Sequence, residues 1–412
     1  MLRVSRQMQL FAEVAFRAAV EPIYRKLTEL LIEASQSESD ESQRQARYSE
    51  ARNVIEQWKT AELRSYFNDG CAADAQMVDL ETLDPSAAIV YPIPFEDRLE
   101  LLVSRSVGIE HFSVPVGEET LDAEVNRFRV HLGNQASARY ETSAHQLYDW
   151  LVGPYRSTLE EWGIDTLVFV PTGSLRTIPL SALRDDKGFL VQSFAVATTV
   201  SLNLLDPRSL EQGQPEVLLA GVSQSVQGFS ALPSVPAELA AIQEIFDGEV
   251  LLDQDFGVES LKEAVVGSGR GIVHIASHAQ FTGDPETSFI LTYDDRMSTE
   301  NLAALIQEMN SNGSELELLV LSACETAAGN ERAALGLAGA AIRSGARSVI
   351  GSLWSVSDEA TSELFVKFYK TLRAGQHNKA EALRTAQLQL IDSKNFTHPF
   401  YWAPFLILNN WL

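Results

Sequence analysis

The chain has 412 residues, a formal net charge of −24 at pH 7 and two cysteines, Cys71 and Cys324. Its length predicts two or three domains, and a hydrophobic share of 45% with 21% charged residues is typical of a globular protein. The acidic charge repels phosphate backbones and argues against nucleic acid as a partner, although its simplest role is solubility. Two cysteines exclude a disulfide framework and an all-cysteine zinc site.

The sequence also argues against a membrane protein. Its first residues lack the apolar core and cleavage site of a signal peptide, and no later stretch is long and apolar enough for a membrane helix. We therefore expect a soluble, cytoplasmic protein in a reducing compartment, without membrane contact.

The first half is predicted to begin with helices and continue into short strands. Apolar residues recur every three or four positions from Val20 to Leu31 and from Tyr48 to Trp58, which indicates two amphipathic helices. The polar stretch between them, ASQSESDESQRQAR, is interpreted as an exposed helix end and loop. AAIVYPI, RLELLVS and GIEHFSV then predict antiparallel hairpins, and after a helical stretch DTLVFVP predicts a strand buried on both faces.

From PEVLLAG onward, strands and helices alternate. This rhythm predicts an α/β fold with an open, mostly parallel sheet and helices on both faces. The predicted strands include GIVHIAS, LELLVLS and RSVIGSLW, and the helices include VPAELAAIQEIF, VESLKEAVV, ALGLAGAAIRSG and SDEATSELFVKFYKTL. With SLEQGQPE as a linker, we expect an N-terminal helical segment at 1–75, a half with a smaller sheet at 76–210, and a half with the open parallel sheet at 211–412.

Two of these strands, GIVHIASHA and LELLVLSAC, end in a base-type and a nucleophile-type residue, His278 and Cys324. Reactive groups in open α/β sheets gather at the carboxyl ends of strands. If the two strands are neighbours, about 4.8 Å apart, the side chains lie near hydrogen-bonding distance. The imidazole would then raise the thiolate fraction of the cysteine near neutral pH.

Each of these residues also has a structural interpretation when it is taken alone. A free cysteine is frequently a small buried hydrophobe, and a histidine on a strand is frequently packed in the core. The two strand ends together favour catalysis. His274 lies on the same face of its strand as His278 and is predicted to be a packed core histidine, and Cys71 is predicted to be structural or idle.

Several stretches carry a family resemblance. They are HIASHA, FTGDPETSFILTYDD, LVLSACETAAG, GLAGAAIRSGARSVIGSLWSVSDEAT and HPFYWAPFLIL, with DTLVFVPTGSLRTIPLSAL and LPSVPAEL upstream. They closely resemble the CHAT peptidases, caspase-like domains that usually follow tetratricopeptide repeats and belong with clostripain, separase and caspase. The resemblance spans roughly residues 75 to 412, and its SAC-ETA-G block is specific.

The resemblance implies a caspase-like fold and a cysteine endopeptidase with a Cys–His dyad. His278 would be the general base and Cys324 the nucleophile, without a metal, a cofactor or an obligatory third residue. In caspase-like enzymes the backbone N–H groups of the cysteine and of the residue after the histidine hold the oxyanion, which implies Cys324 and Ala279 here. The family most often has glycine at the latter position. Alanine would be strained there if the position needs a positive φ and would cost nothing otherwise.

The segment after RSVIGSLW is expected to bind the substrate. A peptide would pair with the backbone near Ser352 and Trp354, and Trp354 would form one wall of a pocket. Asp358 is the candidate for the pocket floor, because a carboxylate in a narrow cleft selects Lys or Arg at P1. The alternative is that SVSDEA only starts a helix, with Ser357 or Asp358 as its N-cap.

The main hypothesis is therefore an endopeptidase that cleaves protein or peptide substrates after a basic residue. A second hypothesis is an inactive caspase-like scaffold for protein–protein interaction, which Ala279 motivates. A third is an enzyme that stays latent until an activating protein partner binds.

Overall fold

The structure is a computed structural model that describes residues 16–67, 84–206, 208, 215–266, 271–281, 287–311, 315–325 and 345–412. Seven of these residues are described by their backbone only: Arg17, Tyr66, Phe67, Val266, Ala323, Cys324 and Glu325. The predicted linker SLEQGQPE and the helix predicted at ALGLAGAAIRSG fall largely outside the described residues. Among the described helices, none combines the length and the apolar character that crossing a membrane requires.

Two long helices open the described chain. A π-helical turn (Phe16–Val20) leads into α1 (Glu21–Gln36), and α2 (Glu41–Phe67) follows. The two predicted helices are confirmed, but the loop between them is restricted to residues 37–40. Asp40 accepts a hydrogen bond from the backbone N–H of Gln43 at 3.0 Å, so it caps α2 and much of the stretch predicted as loop is helical.

The rest of the first half combines antiparallel hairpins with parallel strands. Its elements are β1 (Ala87–Pro94), β2 (Leu99–Arg105), β3 (Gly108–Val114), α3 (Glu118–Leu132), α4 (Tyr140–Leu151), α5 (Arg156–Trp162), β4 (Thr166–Phe169), β5 (Arg184–Asp185), β6 (Gly188–Phe189), α6 (Leu190–Ser193) and β7 (Ala195–Thr198). The predicted antiparallel pairing of β1, β2 and β3 is confirmed. β4 is buried at every residue, as predicted, and runs parallel to β1 and β7.

The second half alternates strands and helices. Its elements are β8 (Val217–Gly221), α7 (Val235–Phe246), β9 (Glu249–Leu252), α8 (Val258–Val266), β10 (Ile272–Gln280), β11 (Phe289–Leu291), β12 (Arg296–Ser298), α9 (Thr299–Ser311), β13 (Leu318–Glu325), β14 (Ser348–Ser352), α10 (Asp358–Arg373), α11 (Lys379–Ile391), α12 (Pro399–Trp402) and β15 (Phe405–Asn409). Short 3-10 turns complete both halves at Gly153–Tyr155, Gly173–Thr177, Leu180–Ala182, Leu202–Leu204 and Asp253–Asp255.

The described strands other than β5 and β6 form one 13-stranded sheet. Its order is β12-β11-β10-β13-β14-β15-β7-β4-β1-β2-β3, and β8 joins β10 and β9. β8, β10, β13 and β14 are mutually parallel, whereas β15 runs antiparallel to β14. The predicted open, mostly parallel sheet is confirmed. The smaller sheet predicted for the first half joins it through the pairing of β7 with β15.

Helices cover both faces of the second half of the sheet, as predicted. Side chains alternate along a strand, so Ile272 and Ala276 of β10 belong to one hydrophobic core while Val273 and Ile275 belong to another. The first core contains residues of α7, α10 and α11, and the second contains residues of α8 and α9.

A buried polar cluster lies inside the first of these cores. Nε2 of His274 in β10 lies 2.9 Å from a carboxylate oxygen of Glu238 in α7, and the hydroxyl of Ser322 in β13 donates to the same oxygen at 2.9 Å. The hydroxyl of Tyr369 in α10 lies 3.2 Å from Nδ1 of His274, and burial raises the pKa of Tyr369 well above its usual range. The packed core position predicted for His274 is thus confirmed, since its side chain is fully buried.

Replacing Glu238 by Ala is expected to lower the free energy of unfolding by about 3 kcal/mol, because His274 and Ser322 would lose a buried partner. Urea unfolding followed by circular dichroism measures this loss. The matched control is Glu244→Ala, an exposed glutamate on the same helix, with an expected change within about 0.5 kcal/mol. Equal losses in the two variants would contradict the assigned role of the cluster.

Lys379, the first residue of α11, is buried, and its Nζ has no hydrogen-bond partner among the described residues. Burial lowers the pKa of this lysine from 10.5 to about 7, although Glu317 nearby opposes the shift. The cationic form is therefore unfavourable in the folded protein.

Because the pKa of Lys379 is lower in the folded state, the unfolded chain binds more protons between about pH 7 and pH 10.5. The stability cost of the lysine is therefore full below pH 7 and fades as the pH rises toward 10.5. Lys379→Met is expected to raise the free energy of unfolding by up to about 4 kcal/mol at pH 6, and by much less at pH 10. Unfolding curves at both pH values measure this difference. Lys394→Met, at an exposed position, is the control, and the same pH trend in both variants would contradict the prediction.

Candidate active site

The candidate site is built on the parallel pairing of β10 with β13. In this pairing Ala276 lies opposite Ser322, and Ala279 lies opposite Cys324. Between these two pairs β10 has two residues, Ser277 and His278, whereas β13 has only one. The register therefore shifts by one residue at a β-bulge that contains Ser277 and His278. Bulges of this kind redirect side chains, and this one lies at the carboxyl end of the strand, as the sequence predicted for His278.

The two strands that carry His278 and Cys324 are therefore neighbours. His278 comes immediately before Ala279, the residue opposite Cys324. The structure describes Cys324 through its backbone in β13, and its side chain lies outside the described part. The prediction that both residues occupy the same edge of the sheet agrees with this backbone register, and a Cys–His dyad remains a prediction.

The imidazole of His278 is oriented by a backbone group. Its Nε2 lies 2.9 Å from the carbonyl oxygen of Ser230, and its ring lies 5.2 Å from that of Phe229. A carbonyl oxygen only accepts hydrogen bonds, so Nε2 carries the proton. In the neutral imidazole Nδ1 is then the basic nitrogen. In this tautomer Nδ1 of His278 is the nitrogen that can accept a proton, as a general base must.

Sequence reasoning assigned no orienting group to His278, and the structure supplies one from the loop between β8 and α7, residues 222–234. Asp253 anchors the start of this loop by accepting hydrogen bonds from the backbone N–H and the hydroxyl of Ser223, at 2.7 and 2.8 Å. Leu232 N–H donates to the carbonyl of Ser223 at 2.9 Å and closes the loop. The only sequence signal was the family block LPSVPAEL, because a backbone carbonyl has no residue-type signature.

Ala279 has an ordinary backbone conformation. It lies within β10, and its φ is not positive. The strain that alanine would suffer at a positive φ is therefore absent, so the departure from glycine costs nothing in backbone energy. The role of its N–H in an oxyanion hole remains a prediction.

Ser352 and Trp354 lie at and beyond the end of β14. Ser352 is buried and pairs with Phe405 of β15, so its backbone is part of the sheet. Trp354 is half-buried, its indole N–H donates to the carbonyl of Phe400 at 3.0 Å, and its ring stacks on the ring of Phe400. The Trp354 ring is thus held against α12, and its role as the wall of a pocket remains a prediction.

Asp358 is the first residue of α10, and Ser357 is the N-cap, its hydroxyl accepting from Ala360 N–H at 3.5 Å. Oδ2 of Asp358 accepts from the backbone N–H of Ser234 at 2.5 Å, and Oδ1 has no partner among the described residues. The loop between β8 and α7 thus contacts both His278 and Asp358, through Ser230 and Ser234.

Metal binding finds no support in the described part of the chain, where no three His, Cys, Asp or Glu side chains are grouped closely enough to hold an ion.

The family model described as the CHAT domain matches residues 141–410 of the chain. A search of curated proteins finds no significant match. Among solved structures, Saccharomyces cerevisiae separase in its complex with securin is similar with a TM-score of 0.54 and 9% sequence identity, over 90% of this chain and 34% of the separase chain.

The Arg-specific cysteine proteinase gingipain R has a TM-score of 0.45 and 10% identity, over 71% of this chain and 74% of that chain. The complex of the Porphyromonas gingivalis RgpB pro- and mature domains has a TM-score of 0.43 and the same identity, with 71% and 76% covered.

At 9% identity the likeness to separase concerns the fold alone, and this chain spans about a third of the separase chain. The likeness supports the caspase-like fold class that the sequence predicted. Because the family model matches more than half of the chain, the protein belongs to the CHAT domain family.

Proposed function

We propose that this CHAT protein is a cysteine endopeptidase with Cys324 as its nucleophile and His278 as its general base. The observation that carries the proposal is the pairing of β10 with β13, which sets Cys324 opposite the residue after His278. The hydrogen bond between Nε2 of His278 and the Ser230 carbonyl adds to it, because it leaves Nδ1 as the basic nitrogen.

In the first half of the proposed reaction, Nδ1 of His278 takes the thiol proton of Cys324 and the thiolate attacks the scissile carbonyl carbon. The backbone N–H groups of Ala279 and Cys324 donate to the resulting oxyanion. His278 then gives its proton to the leaving amine while the C–N bond breaks, and an acyl thioester remains on Cys324.

In the second half, His278 removes a proton from water, and the hydroxide attacks the thioester carbonyl. The C–S bond breaks, and His278 returns the proton to the thiolate of Cys324. The new carboxylic acid leaves and loses its own proton to solvent. These steps need no metal and no cofactor, since the charge that develops is held by backbone donors.

Cys324→Ala is expected to lower kcat for cleavage of peptides with Arg or Lys at P1 by about 10³-fold or more, and His278→Ala by about 10²-fold or more. The matched control is Cys71→Ala, which removes the other cysteine and is expected to leave kcat unchanged. Release of a fluorescent amine from a peptide panel measures the rates. Unchanged hydrolysis by Cys324→Ala would refute the proposal.

The control variant also separates an enzyme from an inactive scaffold. Cys71→Ala keeps only Cys324, and Cys324→Ala keeps only Cys71, so each protein reports the reactivity of one thiol toward iodoacetamide. An enzyme would show faster alkylation at Cys324, slowed when His278 is replaced as well. Equally slow alkylation of both thiols would favour a scaffold that binds other proteins.

For specificity, we propose that the carboxylate of Asp358 binds a Lys or Arg side chain at P1. Its support is the position of Asp358 at the start of α10, where Oδ2 is bonded to Ser234 and Oδ1 has no partner among the described residues. A guanidinium or ammonium group at Oδ1 would form a charge-assisted hydrogen bond. In this proposal Trp354, with its ring stacked on Phe400, lines the side of the pocket.

Asp358→Asn is expected to lower kcat/KM for Arg and Lys at P1 by roughly 10²-fold while leaving slow cleavage after neutral residues unchanged. Asparagine removes the charge, and its carbonyl oxygen can still accept from Ser234 N–H, so the local structure is retained. Glu359→Gln, the exposed neighbour in the same helical turn, is the control. A loss of equal size for basic and neutral P1 residues would exclude Asp358 as the specificity residue.

A further inference from the structure

Helix α1 has a reversed distribution of polarity. Its most buried positions include Thr28 and Ser35, which are fully buried against the rest of the protein, with Ile32 between them. Its exposed positions include large apolar residues, and in the described part of the chain α1 and the residue before it supply four of the six large apolar side chains that are exposed. These four are Val20 (38% exposed), Ile23 (67%), Leu27 (44%) and Leu30 (50%).

These four residues, called the α1 stripe below, lie on one line of the helix. Their spacings of three, four and three residues match the a and d positions of a heptad repeat, and Ala34 continues the pattern. A stripe of this spacing is the seam that a second helix covers in a coiled coil. Isolated exposed apolar residues need no explanation, but a continuous stripe on one helix indicates an interaction surface.

We propose that the α1 stripe is covered by the α1 helix of a second copy of this chain, antiparallel to the first. A helix of 16 residues spans about 24 Å, which suits a short two-helix contact and a weak dimer. The proposal does not depend on the peptidase activity proposed above.

The charges beside the stripe select this partner and this direction. Lys26 and Glu33 both flank the stripe on the same side, at g positions when Val20 and Leu27 are assigned to a. In an antiparallel pair g residues face g residues. When Leu27 lies opposite Leu30 of the second copy, Lys26 faces Glu33 of that copy and Glu33 faces its Lys26. Two opposite-charge pairs then form by symmetry.

Other registers are less favourable. Shifting the antiparallel pair by one heptad either way places Lys26 opposite Lys26 or Glu33 opposite Glu33. In a parallel pair g residues face e residues, so Lys26 would meet Leu31 and gain no charge partner. Of the registers compared, only the antiparallel one with Leu27 opposite Leu30 both buries the stripe and pairs Lys26 with Glu33 of the second copy.

Lys26 and Glu33 are exposed and can exchange their present partners. Nζ of Lys26 lies 2.7 Å from Oε2 of Glu29 on its own helix, and Oε1 of Glu33 lies 3.2 Å from Nη2 of Arg98. Exposed pairs of this kind contribute little to stability, so rearranging them for a contact between copies costs little.

The test is a charge exchange on the full chain, followed by sedimentation equilibrium between roughly 5 and 200 μM, a range suited to a small interface. The parent is expected to dimerise. Lys26→Glu and Glu33→Lys alone are each expected to weaken the dimer by roughly tenfold, since each places like charges opposite one another in both symmetric pairs. The double variant Lys26→Glu/Glu33→Lys is expected to restore the dimer, because the opposite charges then face each other again.

Leu27→Glu tests the apolar part of the contact and is expected to abolish dimerisation over this range. Its matched control is Val130→Glu, at an apolar residue of α3 that is 62% exposed and lies outside the stripe, and this variant is expected to dimerise like the parent. Thermal unfolding checks that each variant folds. A parent that is monomeric at every concentration, a dimer that survives Leu27→Glu, or a double variant that stays monomeric would overturn the proposal. The first two outcomes would assign the stripe to another occupant, and the third would exclude the register with Leu27 opposite Leu30.

Discussion

The pairing of β10 with β13 is the constraint on which the site depends. Parallel strands hold their register through evenly spaced backbone hydrogen bonds, and a slip of one residue would turn every side chain of a strand to the opposite face. Glu238 bonds both His274 of β10 and Ser322 of β13, which makes such a slip expensive, because it would move one of these partners to the other core. The buried cluster therefore fixes the register of the two strands before the bulge, and the one-residue shift at the bulge then sets Cys324 opposite Ala279.

Helix α7 connects this core to the rim of the sheet. Glu238 lies in its first turn, and Ser234 at its N-cap position bonds Asp358. The loop before the helix presents the Ser230 carbonyl to His278. A displacement of α7 would thus change the contacts of the buried core cluster, of the His278 imidazole and of the start of α10 at the same time. This linkage gives a physical route by which a partner that moves α7 would alter the proposed site.

The sequence predicted the elements that local patterns determine. The helices Val235–Phe246 and Val258–Val266 match their predicted stretches, as do the strands that carry His278 and Cys324. Features set by distant pairing were missed. β7 joins the two halves of the sheet through one residue pair with β15, and hydrophobic periodicity carries no record of such a partner. The helical start of α2 was missed because a charged stretch was read as loop, although Asp40 is a good N-cap.

Ala279 stands where the family most often has glycine, and the effect of this difference depends on the backbone conformation at the position. Glycine is required where φ is positive or where a side chain has no room, and Ala279 is extended and accommodated in the core with 7% exposure. Its N–H is the same donor that glycine would offer, and the added methyl group buries apolar surface. The substitution therefore gives no argument for inactivity, and the choice between an enzyme and a scaffold depends on the reactivity of the Cys324 thiol.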